Sequence, residues 1–202
     1  MERVAFCAGM ASSSPKILAF AGSARRESLN RKLLAVAVQA VRDAGAEVTL
    51  VELKDFALPL YDGDLEDAQG MPAGAAKLVE LIKAHDGLLI ASPEYNSMIT
   101  PLLKNAIDWC SRADDDPFPG KVVAVVSASP GALGGIRSLK MAQQLLLHLG
   151  CHVVPGNTML PQAHKAFGAD GGLAEGQERT VKSVKALAGA LVETARKLSG
   201  KS

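Results

Sequence analysis

The sequence predicts an α/β fold in which helices cover both faces of a five-stranded parallel sheet. Short apolar segments alternate along the chain with longer segments whose apolar residues recur at helical spacing. Two short segments, 88–91 and 122–126, are continuously apolar, as is typical of parallel strands buried on both faces. The chain has 202 residues, 48% of them hydrophobic, which suits one domain better than two. We therefore predict a single domain over residues 16–202.

The first half of the chain predicts two strands, two helices and a long loop. Residues 16–21 form an apolar strand, and 29–44 carry apolar residues at helical spacing before Gly45, a residue that commonly ends helices. A second strand is predicted from the alternation of residues 47–53. Prolines, glycines and aspartates then predict a surface loop over 54–72, followed by a helix over 75–85.

The second half repeats the alternation of strand and helix. Buried-strand patterns are predicted at 88–91, 121–127 and 151–154. Helical patterns are predicted at 100–111, 136–149 and 177–198, whereas residues 155–176 are predicted to be irregular. Five strands that alternate with helices suit a flavodoxin-like, doubly wound fold with right-handed crossovers. Ligands bind such folds beyond the carboxyl ends of the strands, which directs attention to the loops after strands one, three and four.

The loop after the first strand has the composition of an anion site. Ser23 and Ser28 offer hydroxyl groups, Arg25 a guanidinium and Asn30 an amide, next to the positive end of a helix dipole. The loop has no GxxxxGK[ST] and no GxGxxG, so a monophosphate is indicated rather than a nucleoside triphosphate or the usual dinucleotide. In the alternative interpretation, Ser28 only caps the helix and the arginines are solvated.

The other two loops combine an aromatic ring with glycines. Tyr95 could lie against a planar ligand and Asn96 could bond its polar edge, although a simple turn with a packed tyrosine is the alternative. In the loop over 127–135, glycines permit close approach of the backbone to a ligand, and its N–H groups could meet negative charge.

Three motifs in this order resemble the NADPH-dependent FMN reductase family, a flavodoxin-like group that includes chromate, quinone and azo reductases. GSARRESLNRKLL resembles the phosphate loop GSxRxxSxNxxL, and PEYNSMITPLLKNAIDW resembles PEYN followed by LKNAIDW. SASPGALGG resembles the third flavin loop of the family. The resemblance spans about residues 17–154.

The resemblance implies an FMN enzyme that takes electrons from NADPH or NADH and passes them to quinone, azo, chromate, ferric or similar acceptors. It implies that the chemistry is carried by N5 of FMN, with no catalytic side chain. Ser23, Arg25, Ser28 and Asn30 would hold the phosphate, with Leu29 also at the cofactor. The ribityl chain and ring would be lined by Pro93, Glu94, Tyr95 and Asn96, and the far ring edge by Ser129, Gly131, Gly134 and Gly135.

The resemblance also implies a homodimer or homotetramer, because members of the family complete their active sites with a neighbouring subunit. Leu103, Ile107 and Trp109 are a plausible contact surface, or else part of the core. Two alternatives from other classes are a flavodoxin-type electron-transfer protein and a non-catalytic FMN-binding regulatory module.

Charge and cysteine content limit the partners and the compartment. A net charge of +1 argues against nucleic acid and anionic membranes, which leaves small molecules. Three scattered cysteines without a CxxC pair indicate no disulfide framework and favour the reducing cytoplasm. The four histidines show no metal-ligand spacing, so no metal is expected. Residues 1–15 are expected to be a disordered extension; a signal peptide or a true start at Met10 are the alternatives.

Overall fold

A computed structural model of the protein describes residues 14–200, in which six strands form one wholly parallel sheet. The strands are β1 (Lys16–Ala21), β2 (Glu47–Glu52), β3 (Gly87–Ala91), β4 (Val122–Ala128), β5 (His152–Val153) and β6 (Thr158–Leu160). Their order is β2-β1-β3-β4, and β5 and β6 both pair with β4. The order reverses between β1 and β3, since the chain moves outward to β2 and then returns to the other side of β1.

Of the six α-helices in the described residues, five pack on the two faces of the sheet. The six are α1 (Leu29–Asp43), α2 (Gly63–Gln69), α3 (Ala73–Lys83), α4 (Pro101–Cys110), α5 (Ile136–His148) and α6 (Glu178–Leu198). Apolar residues of α1 and α6 pack on one face, and those of α3, α4 and α5 on the other. Every residue of β3 and β4 is buried, which explains their continuously apolar sequences. The predicted doubly wound α/β fold is thus confirmed.

The fifth position of the sheet differs from the prediction. Residues 151–154 were expected to form its strand, but only His152 and Val153 pair there, and β6 continues the same edge of β4. The step from Val123 to Val126 on β4 spans three residues, whereas the opposing step from Val153 to Thr158 spans five. The two extra residues interrupt the edge strand. The prediction of an irregular segment over 155–176 was therefore wrong at β6, whose three residues are too few for a recognisable pattern.

The predicted surface loop over 54–72 was also wrong in part. It contains a 3-10 helix at Leu53–Phe56 and the helix α2. No residue of α2 is buried, so the segment lacks the apolar periodicity that predicts helices. Its stability comes from local polar bonds instead: Asp62 accepts from the Asp64 N–H at 3.0 Å, and the Tyr61 hydroxyl donates to Glu66 at 2.9 Å.

The residues suggested as an oligomer contact lie inside the protein. Leu103, Ile107 and Trp109 have 0%, 4% and 0% of their surface exposed. The Trp109 ring packs edge-on against Tyr61, with 5.1 Å between ring centroids, and its Nε1 donates to the Pro59 carbonyl at 2.8 Å. The interpretation of these residues as an exposed contact surface was wrong, and the alternative, that they belong to the core, is confirmed.

Two expectations concern the chain ends and membranes. Residues 1–13, which make up most of the predicted N-terminal extension, lie outside the described part of the chain. Pro15 is inside it and accepts the Glu47 N–H at 2.9 Å, which extends the β1–β2 ladder. Within residues 14–200, no helix combines the length and the apolar character needed to cross a membrane.

Candidate functional site

Three loops meet at the carboxyl edge of the sheet. The first loop (22–28) follows β1, the second loop (92–100) follows β3, and the third loop (129–135) follows β4. Because β1, β3 and β4 are adjacent and parallel, their carboxyl ends lie side by side. The strand order reverses at β1 and β3, so the sequence-predicted site residues converge where doubly wound folds bind ligands.

The first loop presents two buried hydroxyl groups at the N-terminus of α1. Ser28 caps this helix, since its Oγ accepts the Arg31 N–H at 3.3 Å, and the Ser23 Oγ accepts the Arg25 N–H at 3.4 Å. Each hydroxyl uses a lone pair in these bonds and keeps its O–H for another acceptor. The capping interpretation of Ser28 is thus correct and compatible with an anion contact.

The charges of the first loop leave Arg25 free for an anion. Its side chain is exposed and forms no ion pair within residues 14–200, and the same holds for Arg26. Glu27, the acidic residue of the loop, pairs with Lys32 at 3.4 Å instead. The fixed positive end of the α1 dipole and an unpaired guanidinium thus lie on one short segment.

Arg31 fixes the shape of the first loop, a role that sequence reasoning missed. Its guanidinium donates to the carbonyls of Arg25 and Arg26 at 3.3 and 3.5 Å and pairs with Glu52 at the end of β2. Arg31 lies in the first turn of α1 and reaches Glu52 at the end of β2, so the adjacency of β1 and β2 was the signal that could have revealed its role.

Asn30 joins the first loop to the third. Its Nδ2 donates to the Ala128 carbonyl at 2.7 Å, and its Oδ1 accepts the Ala128 N–H at 2.9 Å. The side chain is 5% exposed. Both ends of the amide therefore bond to the backbone of β4, which makes Asn30 a positioning residue. Its Nδ2 has a second hydrogen, and the contact with a phosphate that the resemblance implied stays a prediction. Next to it, Leu29 packs against the core on the α1 face.

The second loop contains a tight hairpin that displays Tyr95. Tyr95 and Met98 exchange two backbone hydrogen bonds of 3.0 Å, and the residues between them, Asn96 and Ser97, have φ of 50° and 69°. Positive φ at both central positions is the type I′ geometry that Asn favours. Tyr95 and Met98 are 48% and 49% exposed. Tyr95 is thus presented at the surface, which rules out the alternative of an ordinary packed ring.

Glu94 caps α5 from the second loop. The residue before α5 is Gly135, which has no side chain, and Glu94 Oε2 accepts the N–H groups of Arg137 and Ser138 at 3.0 and 3.3 Å. The Arg137 guanidinium pairs with Glu94 at 3.6 Å and donates to Ser97. The Glu94 carboxylate is therefore used to hold the second loop against α5, a role that the sequence did not predict.

Three buried serines complete the connection between the loops and also escaped prediction. Ser127 Oγ donates to the Ser92 carbonyl and Ser138 Oγ to the Pro93 carbonyl, both at 2.7 Å. The Ser92 and Ser138 hydroxyls lie 2.7 Å apart. At the first loop, Thr100 Oγ1 donates to the Gly22 carbonyl at 2.6 Å. Pro93, at the start of the second loop, is thus fixed through its backbone.

Two of the three predicted glycines in the third loop are sterically required. Gly135 has φ of 83°, and a Cβ there would overlap the Ser127 hydroxyl. Gly134 has φ of 61°, and its Cβ would lie 2.9 Å from the Pro161 nitrogen. The φ of Gly131 lies outside the left-handed region. A Cβ added there would have only the Ser129 Oγ within 4 Å, at 3.6 Å. Ser129 makes two hydrogen bonds in this region: its N–H donates to the Leu160 carbonyl, and its Oγ accepts the Gly131 N–H.

The capping role of Glu94 predicts a graded loss of stability. We expect Glu94→Ala to lower the free energy of unfolding by about 1–2 kcal/mol, because two N–H groups of α5 lose their acceptor. Glu94→Gln keeps an acceptor oxygen and should lose less. Urea unfolding measures both, with Glu193→Gln as the control because Glu193 pairs only with Lys197 on an exposed helix face. Equal stability of Glu94→Ala and the wild type would contradict the cap.

The buried cysteines predict an unreactive native protein. Burial, with a smaller contribution from the Asp116 carboxylate, raises the pKa of the Cys110 and Cys151 thiols to about 12. At pH 8 only about one thiol in ten thousand is then ionised. We expect the folded Cys7→Ser variant not to react with Ellman's reagent. After unfolding in guanidinium, the same variant should react at two thiols per chain, those of Cys110 and Cys151. Rapid labelling of the folded protein would contradict this.

Histidines and acids do not assemble a metal site in the described chain. Within residues 14–200, no group of three His, Cys, Asp or Glu side chains is placed to hold an ion. His85 is instead engaged in structure: its Nδ1 lies 2.6 Å from the Leu81 carbonyl and its Nε2 lies 2.8 Å from the Thr49 hydroxyl.

Both the sequence and the fold are similar to those of known proteins. The sequence profile of the family described as NADPH-dependent FMN reductase matches residues 15–165. An NAD(P)H-dependent FMN reductase of Pseudomonas aeruginosa is 37% identical over 165 residues, which cover 81% of this chain and 87% of that protein. A quinone reductase of Escherichia coli K12 is 37% identical over 140 residues, covering 69% and 73%. The solved structure of FerB, a flavoenzyme NAD(P)H:(acceptor) oxidoreductase from Paracoccus denitrificans, has a TM-score of 0.77 at 30% identity and covers 91% of this chain and 98% of that one.

Proposed function

The chain belongs to the NADPH-dependent FMN reductase family, and we propose that it transfers electrons from NADPH or NADH through bound FMN to a small-molecule acceptor. The observation that carries the proposal is the convergence of three loops at the switch point of the sheet: one with two buried hydroxyl groups and an exposed arginine, one with an exposed aromatic ring, and one with glycines. Relatives named as quinone reductases support quinones as the first acceptors to test.

The donor groups of the first loop suit a phosphate monoester. Ser23 and Ser28 would donate their free O–H groups, and Arg25 would supply the charge, at the positive end of the α1 dipole. Leu29 would contribute its backbone N–H, one of those that a helix leaves unpaired in its first turn. Asn30 and Arg31 would position this cradle through the bonds described above.

The ring of FMN would lie along the second and third loops. Tyr95 would contact it, with Pro93 and Asn96 beside the ribityl chain and Gly134 and Gly135 at its far edge. Ser129 and Gly131 would border that edge. Bound FMN supplies the redox chemistry, and the protein orients it and sets its electrostatic surroundings. No side chain needs to act as a nucleophile or a general base.

We further propose a homodimer or homotetramer in the cytoplasm. Tyr95, Met98 and Leu133 are about half exposed around the site, and a second copy could cover this apolar surface. Cys110 and Cys151 are unpaired thiols, which fits a reducing compartment. Since Leu103, Ile107 and Trp109 are internal, the interface would use other residues.

A steady-state assay tests the proposed activity. Apoprotein, FMN-loaded protein and riboflavin-loaded protein are compared for NADPH and NADH consumption with a quinone, an azo dye, chromate and a ferric chelate. We expect turnover that depends on FMN and on at least one acceptor. Failure of the FMN-loaded protein to consume either nicotinamide, with every acceptor, would contradict the enzyme and favour an electron-transfer or regulatory protein.

A further inference from the structure

A concave surface lies beside the third loop, on the β6 side of β4, whereas the first loop follows β1 on the other side. It has a volume of about 770 Å³ and is walled by the third loop, the start of α5, the β6 edge and the start of α6. We refer to it as the α6 cleft. Volumes of this size are typical of small-molecule sites.

The charge in the α6 cleft has one sign. Lys165 and Arg179 line it, and none of the described residues that line it is acidic. Neither side chain forms a hydrogen bond or an ion pair within residues 14–200. Elsewhere on the surface, cations such as Lys83 and Lys104 do pair with acids. Two unpaired cations in one concavity favour an anionic occupant.

The N-terminus of α6 adds donors at the same place. Gln177, Arg179 and Thr180 line the cleft, and no side chain of the described chain caps this 21-residue helix. Glu178 lies in its first turn, but its carboxylate accepts the Gly176 N–H at 3.1 Å and does not line the cleft. The first-turn N–H groups and the positive end of the dipole thus reinforce the two cations.

Part of the remaining lining is apolar, and it is held in place by hydrogen bonds between elements. Leu133, Ile136, Met159 and Pro161 give the cleft an apolar side. Its floor is fixed because the Thr158 and Ser183 hydroxyls, 2.8 Å apart, join β6 to α6, and the Gln162 N–H donates to Gly131 at 3.1 Å. A ligand must therefore combine an anionic group with an apolar body.

We infer that the α6 cleft binds a phosphorylated organic anion of nucleotide size, with its phosphate beside Lys165 and Arg179 and its apolar body against Leu133 and Met159. The guanidinium fork and the helix terminus both match phosphate oxygens. Leu133 belongs to the third loop, so the cleft adjoins the predicted flavin edge. The phosphate could therefore come from the adenosine end of NADPH, which rests on the proposed function, or from a separate ligand.

Calorimetry on the FMN-loaded protein tests the site directly. The probes are adenosine 2′,5′-bisphosphate and inorganic phosphate. We expect the bisphosphate to bind more tightly than inorganic phosphate, because only the former has a body to contact the apolar wall. The double variant Lys165→Ala/Arg179→Ala should weaken bisphosphate binding about tenfold or more. The double variant Lys182→Ala/Lys185→Ala is the control, since it removes the same charge from exposed positions outside the cleft.

Kinetics then separate the two sources of phosphate. A raised KM for NADPH with an unchanged KM for NADH in Lys165→Ala/Arg179→Ala would assign the cleft to the donor's 2′-phosphate. Weakened bisphosphate binding with both KM values unchanged would assign it to a separate phosphorylated ligand. Both results support the site. The calorimetric test of binding needs no turnover, so an inactive enzyme would not affect it.

Four results would overturn the inference. The wild type fails to bind the bisphosphate, the Lys165→Ala/Arg179→Ala variant binds it as tightly as the wild type, or the control variant weakens as much. A change of oligomeric state on sedimentation of Lys165→Ala/Arg179→Ala would likewise overturn it, because the cleft would then be a contact between copies of the chain.

Discussion

Gly135→Ala is expected to lower the free energy of unfolding by about 2–4 kcal/mol and to release FMN. The added methyl group overlaps the Ser127 hydroxyl, and Ser127 is fully buried with its Oγ bonded to the Ser92 carbonyl. An overpacked buried site costs about 1–3 kcal/mol, and a non-glycine residue at positive φ costs about 1 kcal/mol more. Urea unfolding and the fraction of flavin retained after desalting measure the two effects.

Gly120→Ala separates the steric cost from the backbone cost. Gly120 has φ of 79°, close to the 83° of Gly135, but a Cβ there meets nothing within 4 Å. The control should therefore lose only the backbone part and keep its flavin. Adding Ser127→Ala to Gly135→Ala removes the overlapping oxygen and should restore part of the stability. If Gly135→Ala and Gly120→Ala lose the same amount, the close contact at the third loop is refuted.

Arg25→Ala is expected to weaken FMN binding by about 1.5–3 kcal/mol, which is roughly a 10- to 150-fold increase in Kd. The guanidinium has no acidic partner within the described chain, so its removal leaves no buried charge behind and reports the anion contact alone. Fluorescence titration of the apoprotein with FMN and with riboflavin measures the effect. The loss should appear with FMN and disappear with riboflavin, which has no phosphate.

Arg26→Ala is the matched control for the phosphate contact. Arg26 is the next residue, is also exposed and also lacks an ion pair in the described chain, but it stands at an unspecified position of the GSxRxxSxN motif. It should retain FMN nearly as well as the wild type. An Arg25→Ala variant that binds FMN normally, or that loses FMN and riboflavin equally, would remove Arg25 from the phosphate site.

The fold was largely predictable because its central strands are buried on both faces. Continuous apolar runs identified β3 and β4, and helical spacing identified α1, α3, α5 and α6 within a few residues. The predictions that were wrong concern segments with too few buried residues to give an apolar pattern in the sequence. The exposed α2 has no buried residue, and β6 is three residues long and is recognisable only by its pairing with β4.

The site was predictable in its parts but not in its connections. Ser28 caps a helix and Tyr95 lies in a turn, as the sequence indicated, whereas the close contact of Gly135 is with Ser127 of the protein itself. The roles of Asn30, Glu94 and Arg31 depend on partners from other elements, 98, 43 and 21 residues away in the chain. Residue type and spacing cannot reveal such partners, so these hydrogen bonds between elements were not predicted.

Anaerobic reduction of the bound flavin tests the central claim most directly. FMN-loaded protein is mixed with NADPH or NADH without oxygen, and the visible absorbance of oxidised flavin is followed in a stopped-flow instrument. The account predicts rapid bleaching by at least one nicotinamide and full recovery of the absorbance when a quinone is added. A flavin that dithionite bleaches but that neither nicotinamide reduces would contradict it.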